Sequence, residues 1–337
     1  MNKNHDFMAR FSAVMERRYA DLIDSNVDIA VGVSGGSDSM ALCYALSDFF
    51  EGTGSTLHAL SVDHGLRPEA AQEARYVAKA LDALPNVQHH ILTWCHEEKP
   101  TARVQESARN ARYDLMGDYM RDHNLSHLFL GHHMDDQAET FLFRLAKGSG
   151  LDGLGGMPHI GARDDIILCR PFLDMQKSEI IDYCEGHNID FINDPSNESD
   201  DYARVRLRKS MDVLSVEGLT SKRLAVTAKR LLRAREVMDY VVEKEYKNAR
   251  SRKDKDRIVL NFDLLRTNPF EIVLRVVLKA MAELSPERDY GVRLERAENL
   301  CEDLMKPKSF RTRTLGGVVF ECNKDQATLE LSREHKD

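Results

Sequence analysis

No stretch of this sequence approaches the roughly 18 apolar residues that a membrane-spanning helix requires. Its opening segment, Met1 to Ile23, is charged and helix-like and lacks the apolar centre of a secretory signal. Both absences point to a cytoplasmic protein with no membrane partner. The six cysteines (Cys43, Cys95, Cys169, Cys184, Cys301 and Cys322) are scattered, with no C-x-x-C pair. That removes the ligand pattern of a zinc ribbon, an iron–sulfur site or a redox dithiol, and suits thiols buried as small hydrophobes. Internal repeats and low-complexity segments are missing as well.

At 337 residues, with 42% hydrophobic and 30% charged side chains, the chain has length for two domains that each bury a core. A net charge of −8 taken globally disfavours a nucleic-acid partner. Its distribution argues the other way: residues 203–313 hold 27 Lys/Arg against 17 Asp/Glu, a local +10, and the rest carries −18. An acidic body with a basic arm fits a bound polyanion, although a solvated helical surface would read alike.

Apolar β-type runs recur at Ile29–Val33, Leu57–Val62, Val87–Leu92, Leu128–Gly131 and Ile166–Leu168. Helical patterns lie between them, at Met40–Phe50, Pro68–Leu84, Ala102–His123, Met134–Lys147 and Gln176–His187. Such alternation predicts an α/β fold, a doubly wound parallel sheet with helices on both faces. Loops after parallel strands gather at one crevice, which brings Ser34, Asp63-His64-Gly65 and Gly131-His132-His133 together. A polar stretch, Asp194 to Asp201, reads as a loop or boundary. Beyond it come a long basic helix, Leu219–Arg250, a short strand, Ile258–Phe262, and a helix announced by Asn268-Pro269-Phe270-Glu271. Another helix spans about Val292–Met305, and the tail suggests a hairpin around Leu315-Gly316-Gly317-Val318.

The densest chemistry lies at Ser34-Gly35-Gly36-Ser37-Asp38-Ser39. Glycines let the backbone wrap an anion with its amides, the following helix adds its positive end, and three hydroxyls surround the same pocket. This loop has no Gly-Lys-Ser/Thr ending and is no G-x-G-x-x-G turn, so neither the NTP-hydrolysing P-loop nor a dinucleotide turn describes it. The second dense segment is Gly131-His132-His133-Met134-Asp135-Asp136-Gln137-Ala138-Glu139-Thr140. Its carboxylates suit Mg²⁺, which takes one or two of them plus substrate oxygens, better than a transition metal; Asp135 and Asp136 also suit the helix start as caps. Asp135, Asp136 and Glu139 fall on one side of that helix.

Ser-Gly-Gly-x-Asp-Ser resembles the pyrophosphate loop of the N-type ATP pyrophosphatases, and Gly-His-His-x-Asp-Asp-Gln-Ala-Glu-Thr resembles the signature of the tRNA(Ile)-lysidine synthetase family. Val62 to Arg67, Gln105 to Tyr113, Gly148 to Leu151, Gly155 to Met157, Arg170 to Leu173, Asp194 to Asn197 and Tyr202 to Arg208 follow in that family's order. The resemblance spans about residues 28–208 and is loose after about 215. Asn193 stands where the family often has Glu, and Val205 where it often has Asn. The length implies that the extra carboxy-terminal domain of the longest members is lacking.

The resemblance implies an adenine-nucleotide alpha-hydrolase-like catalytic domain over 1–210. It also implies a mostly helical tRNA-binding domain with a small β tail over 211–337. It implies ATP and Mg²⁺ as cofactors, and as partners free L-lysine and a tRNA(Ile) with a wobble cytidine; a homodimer is left open. The cytosine 2-carbonyl oxygen attacks the α-phosphate and releases pyrophosphate, then lysine attacks carbon 2 and expels AMP. Ser34, Gly35, Gly36, Ser37, Asp38, Ser39, Asp63, His64, Gly131 and His132 are then nucleotide-binding, with Asp38 and Asp136 on the metal. Asp135 and Glu139 become candidates to bind or deprotonate lysine; Arg109, Arg112, Arg204, Arg206 and Arg208 are forks suited to phosphate. The rival, cytidine 2-thiolation, relies in related families on C-x-x-C cysteines that this chain lacks. Amide-forming relatives need an ammonia source, and a non-catalytic RNA-binding module would not need the full set of serines and carboxylates.

Overall fold

The computed structural model describes residues 3–25, 27–65, 70–95, 104–192, 203–285, 293–306, 310–323 and 327–334. Arg67, Pro68, the Asp194–Asp201 stretch and Tyr202 lie outside the described residues. The chain divides into two compact units, Met1–Leu232 and Arg233–Asp337.

The first unit is built on six strands: β1 (Ile29–Gly32), β2 (Leu57–Asp63), β3 (Val87–Thr93), β4 (His127–Phe129), β5 (Ile160–Arg163) and β6 (Ile166–Cys169). Their order is β3-β2-β1-β4-β6-β5. All neighbours pair parallel except β5, which runs antiparallel to β6 at the edge. The alternating strand–helix pattern therefore gives the expected doubly wound sheet, with one addition. Residues 160–163 carry no apolar run, and the strand arises because Asp164 (φ 54°) turns the chain back along β6.

Alternation along β1 sorts the core into two layers. Ile29 and Val31, fully buried, face the helices Lys3–Arg18, Ser37–Phe49 and Lys177–Gly186, while Ala30 faces the helix Val104–Asp122 through Leu60, Met116 and Met120. On the first face Phe7 stacks on Tyr183 at 4.5 Å between ring centroids and meets Phe172 edge-on at 5.5 Å. The chain leaves β1 toward β2 and β3 on one side, then returns to β4 on the other. Loops after β1 and β4 consequently diverge over a crevice, where α/β sheets bind ligands.

The second unit holds β7 (Arg250–Lys253), β8 (Arg257–Asn261), β9 (Arg313–Leu315), β10 (Val318–Asn323) and β11 (Thr328–Arg333) in one antiparallel sheet, ordered β7-β8-β11-β10-β9. Gly316 (φ 61°) and Gly317 (φ 73°) make the two-residue turn between β9 and β10, the hairpin expected from the sequence. The tail is larger than that hairpin, because Ile258, Leu260, Val318, Phe320, Leu329 and Leu331 bury one sheet face against the helix Phe270–Leu284. That helix is capped by Pro269 without a side-chain bond; the Asn268 amide turns instead to the Leu265 carbonyl at 3.4 Å and to Glu245.

Candidate active site

Helix Ser37–Phe49 begins three residues before its apolar period does, because its first turn is the polar Ser37-Asp38-Ser39. Val33 extends the β1 ladder by donating to the Leu60 carbonyl at 2.9 Å, and the turn follows at once. Gly35 sits at φ +83°, and a Cβ there would lie 3.0 Å from Val77 and 3.1 Å from Ile192. The positive φ is what calls for glycine, and a Cβ would in addition crowd those two side chains. Gly36 caps the helix in extended conformation, so no side chain occupies its first-turn amides, the arrangement that receives anions. Ser39 braces the loop: its hydroxyl accepts from the Ser34 amide at 3.1 Å and donates to the Gly36 carbonyl at 3.0 Å.

The second loop is pressed against the first. A Cβ on Gly131 would lie 2.8 Å from the Asp38 carbonyl oxygen, so only glycine lets the loop after β4 approach the start of the helix Ser37–Phe49 this closely. His133 and Asp136 form a reciprocal cap of the helix Met134–Ala146: His133 Nδ1 accepts from the Asp135 amide at 3.2 Å, and Asp136 Oδ2 accepts from the His133 amide at 2.9 Å. With Nδ1 accepting, Nε2 carries the hydrogen, and it faces Asp136 Oδ2 at 3.4 Å and Asp38 Oδ2 at 3.6 Å. Burial disfavours charge on His133, but Asp38 and Asp136 outweigh it and raise its pKa. Burial likewise works against the Asp38 carboxylate, yet His133 and Lys177 reverse the effect and hold its pKa below the usual range.

Asp135 and Glu139, alike in the sequence, are engaged differently. Both Asp135 oxygens are occupied, Oδ1 by the Ser221 hydroxyl at 2.6 Å and Oδ2 by the Lys177 amide at 3.0 Å. Glu139, 5% exposed, accepts from Arg208 Nε at 2.6 Å on Oε1, and among the described residues nothing donates to its Oε2. Gln137 bonds Met157 in both directions at 2.7 Å, and the adjacent Gly156 (φ +68°) leaves room for that amide.

Between the loops opens a cavity of about 460 Å³, within the range of small-molecule sites. Ser34, Gly36, Asp38 and Ser39 line one side, Gly131, His132 and Asp136 another, and His64 and Arg112 a third. Apolar surface comes from Val62, Val77, Met116 and Leu130. Gly35, Ser37, Asp63, Asp135, Glu139 and Arg109 are not among its walls. Asp63 Oδ1 instead accepts from Gly65 at 2.8 Å, and the Arg109 guanidinium lies 5.2 Å from the Tyr113 ring. His64, 3.3 Å from Arg112, is lowered to about 4 by burial and by that arginine. His132 is lowered to about 4 by burial, against Asp136, and further by Arg170 and Arg109. Asp38 and Asp136 converge on this space, a two-carboxylate arrangement that fits Mg²⁺. Among the described residues no three His, Cys, Asp or Glu form a metal cluster of their own.

Residues 5–213 match the family model described as a PP-loop domain. The chain is 34% identical to a tRNA(Ile)-lysidine synthase from Bradyrhizobium sp. (strain BTAi1), over 97% of this chain and 91% of that one. It is 37% identical to the tRNA(Ile)-lysidine synthase of Methylobacterium nodulans, over 91% and 90%. The chain belongs to the tRNA(Ile)-lysidine synthase family. Membership makes it an ATP-using PP-loop ligase. The fold is shared more widely: a U34-tRNA thiolase from Methanococcus maripaludis, solved with its [4Fe-4S] cluster, superimposes with a TM-score of 0.58 at 17% identity, over 68% of this chain and 80% of that one. Among the described residues no helix is long and apolar enough to cross a membrane.

Sequence reading missed Lys177 and Ser221. Lys177 Nζ lies 2.6 Å from Asp38 Oδ1 and 2.7 Å from Ser37 Oγ, and Ser221 anchors Asp135. The available signal was a cation at the first position of a helix, where the dipole disfavours it. Arg208, read as a phosphate fork, is the partner of Glu139; the Arg204 side chain lies outside the described residues.

Proposed function

We propose that the protein ligates free lysine to carbon 2 of the wobble cytidine of tRNA(Ile), through an adenylylated cytidine, releasing pyrophosphate and AMP and changing codon reading from AUG to AUA. The reading rests on family membership and on one observation above all, the contact of the Ser34–Ser39 loop with the Gly131–Glu139 segment across Gly131 and Asp38. In the first step the cytosine 2-oxygen attacks the α-phosphorus, and the bond to the β-phosphate's bridging oxygen breaks. The Gly36-capped helix start and the Ser34 hydroxyl receive the leaving pyrophosphate, whose growing charge they stabilise. Mg²⁺ held by Asp38 and Asp136 would neutralise phosphate charge. His133 orients both carboxylates and helps keep Asp38 ionised.

In the second step the lysine side-chain amine attacks carbon 2. The carbon–oxygen bond breaks, AMP leaves with that oxygen, and the amine loses a proton. Its ordinary pKa of about 10.4 means it needs an acceptor close by. We assign the amine to Glu139, because among the described residues none donates to its Oε2 while both Asp135 oxygens accept hydrogen bonds. Asp135 is assigned the task of joining the helix starts. AMP release that requires both this tRNA and free lysine tests the reading.

A further inference from the structure

The phosphate loop lacks the lysine that ends a Gly-Lys-Ser/Thr loop, and the fold brings one in from 139 residues away. Lys177 opens the helix Lys177–Gly186, whose Ile180 and Tyr183 are buried and whose Cys184 thiol points at the Ser37 carbonyl at 3.6 Å. Its amide is fixed on Asp135, and the preceding amide, of Gln176, donates to Glu179 at 2.7 Å. The first residue of this helix is therefore held in place from two sides. Its ammonium has three donors; Ser37 Oγ and Asp38 Oδ1 take two of them. With its oxygen accepting from Lys177, Ser37 has its own O–H to donate. A lysine at a helix start opposes the dipole, and a site that merely needed to anchor Asp38 already has His133 within 3.6 Å.

We propose that Lys177 is a phosphate-binding residue of the nucleotide site, its charge and third N–H serving the β- and γ-phosphates. It performs from a distant helix what the lysine inside a P-loop performs locally. The assignment rests on the reading above that ATP lies with its pyrophosphate on the Ser34–Ser39 loop, and extends it to a residue outside both sequence motifs. A lysine that serves only as counter-charge to Asp38 would affect every nucleotide alike.

The test is calorimetric titration of the full-length protein with Mg²⁺-ATP and with AMP, without tRNA or lysine, for wild type, Lys177→Met, Lys177→Gln and Lys177→Arg. Melting temperatures confirm folding, and two neutral variants guard against loss of one. Loss of a charged hydrogen bond should weaken ATP binding about ten-fold or more. AMP affinity should stay within about two-fold and Lys177→Arg should recover most of the ATP loss, since arginine keeps the charge. Equal weakening of ATP and AMP, or unchanged ATP affinity in both neutral variants, would overturn the assignment. A wild-type protein that binds AMP but gains nothing from the added phosphates would overturn it together with the placement of pyrophosphate on the loop.

Discussion

The Ser221 hydroxyl donates to Asp135 Oδ1 at 2.6 Å, so the carboxylate that opens one helix holds the first residue of another, Ser221–Ala249. The same side chain accepts from the start of the helix Lys177–Gly186, and three helix starts thereby share one anion. Asp135→Ala should therefore act first on stability, by about 2–3 kcal/mol for lost hydrogen bonds to a charged group. Thermal melts check this, with Ser221→Ala costing a fraction of it. A variant that melts like wild type yet fails to use lysine would return the base role to Asp135.

Glu139→Gln should leave ATP binding intact and raise the lysine concentration needed for half-maximal rate by about ten-fold or more, the effect of losing an ionic contact. Steady-state kinetics with lysine and ATP varied separately give the split. Arg208→Ala should shift the same parameter in the same direction more weakly, because Arg208 contacts only Oε1.

A histidine group in the first unit makes stability depend on pH. His58 lies 2.9 Å from the Tyr119 hydroxyl and stacks on His90 at 5.6 Å; Tyr119 stacks on His123 at 3.9 Å, and His89 meets Ser61 at 2.8 Å. Asp28, 3.9 Å from His58, is the facing carboxylate. Burial lowers the pKa of His58, His89 and His90, and neighbouring histidines lower each further. The folded state then binds fewer protons than the unfolded chain below about pH 6.5, so the contribution is complete above that value and is lost as pH falls, at up to about 1.4 kcal/mol per unit for each group. Melting temperature should drop between about pH 7 and about pH 5, and His58→Gln with His90→Gln should flatten the slope.

The basic helix makes a separate prediction about RNA. Arg230 and Arg233 are exposed, and Lys229 reaches Asp174 at 3.3 Å. If these side chains meet phosphate, tRNA affinity should fall steeply with salt, and reversal to glutamate at Lys229, Arg230 and Arg233 should reduce the logarithmic salt slope by about two to three. Filter binding across a salt series measures it. A slope unchanged by the reversals would place the RNA elsewhere.

The sheet was legible because buried parallel strands read as apolar runs and their helices as period-3.6 patterns; β1, β2, β3 and both dense loops fall where those patterns put them. Edges were less legible. β5 follows from a turn at Asp164 rather than from its own residues, and β7 (Arg-Ser-Arg-Lys) has no apolar side chain to announce a strand. Instead of capping its helix, Asn268 turns its amide to Glu245 and to the preceding Leu265 carbonyl. Within the site, motif residues identified the two loops, and they could not show that both Asp135 oxygens are taken while Glu139 keeps one open among the described residues. That difference depends on Ser221, Lys177 and Arg208, which arrive from helices far along the chain.

The central claim is tested most directly by following AMP release and transfer of labelled lysine to tRNA in one reaction. Both should require ATP, free lysine and a tRNA(Ile) carrying a wobble cytidine, and both should fall at least about a hundred-fold in a folded Asp38→Ala variant. AMP release supported by a sulfide donor in place of lysine, or lysine transfer undiminished by Asp38→Ala, would contradict the account.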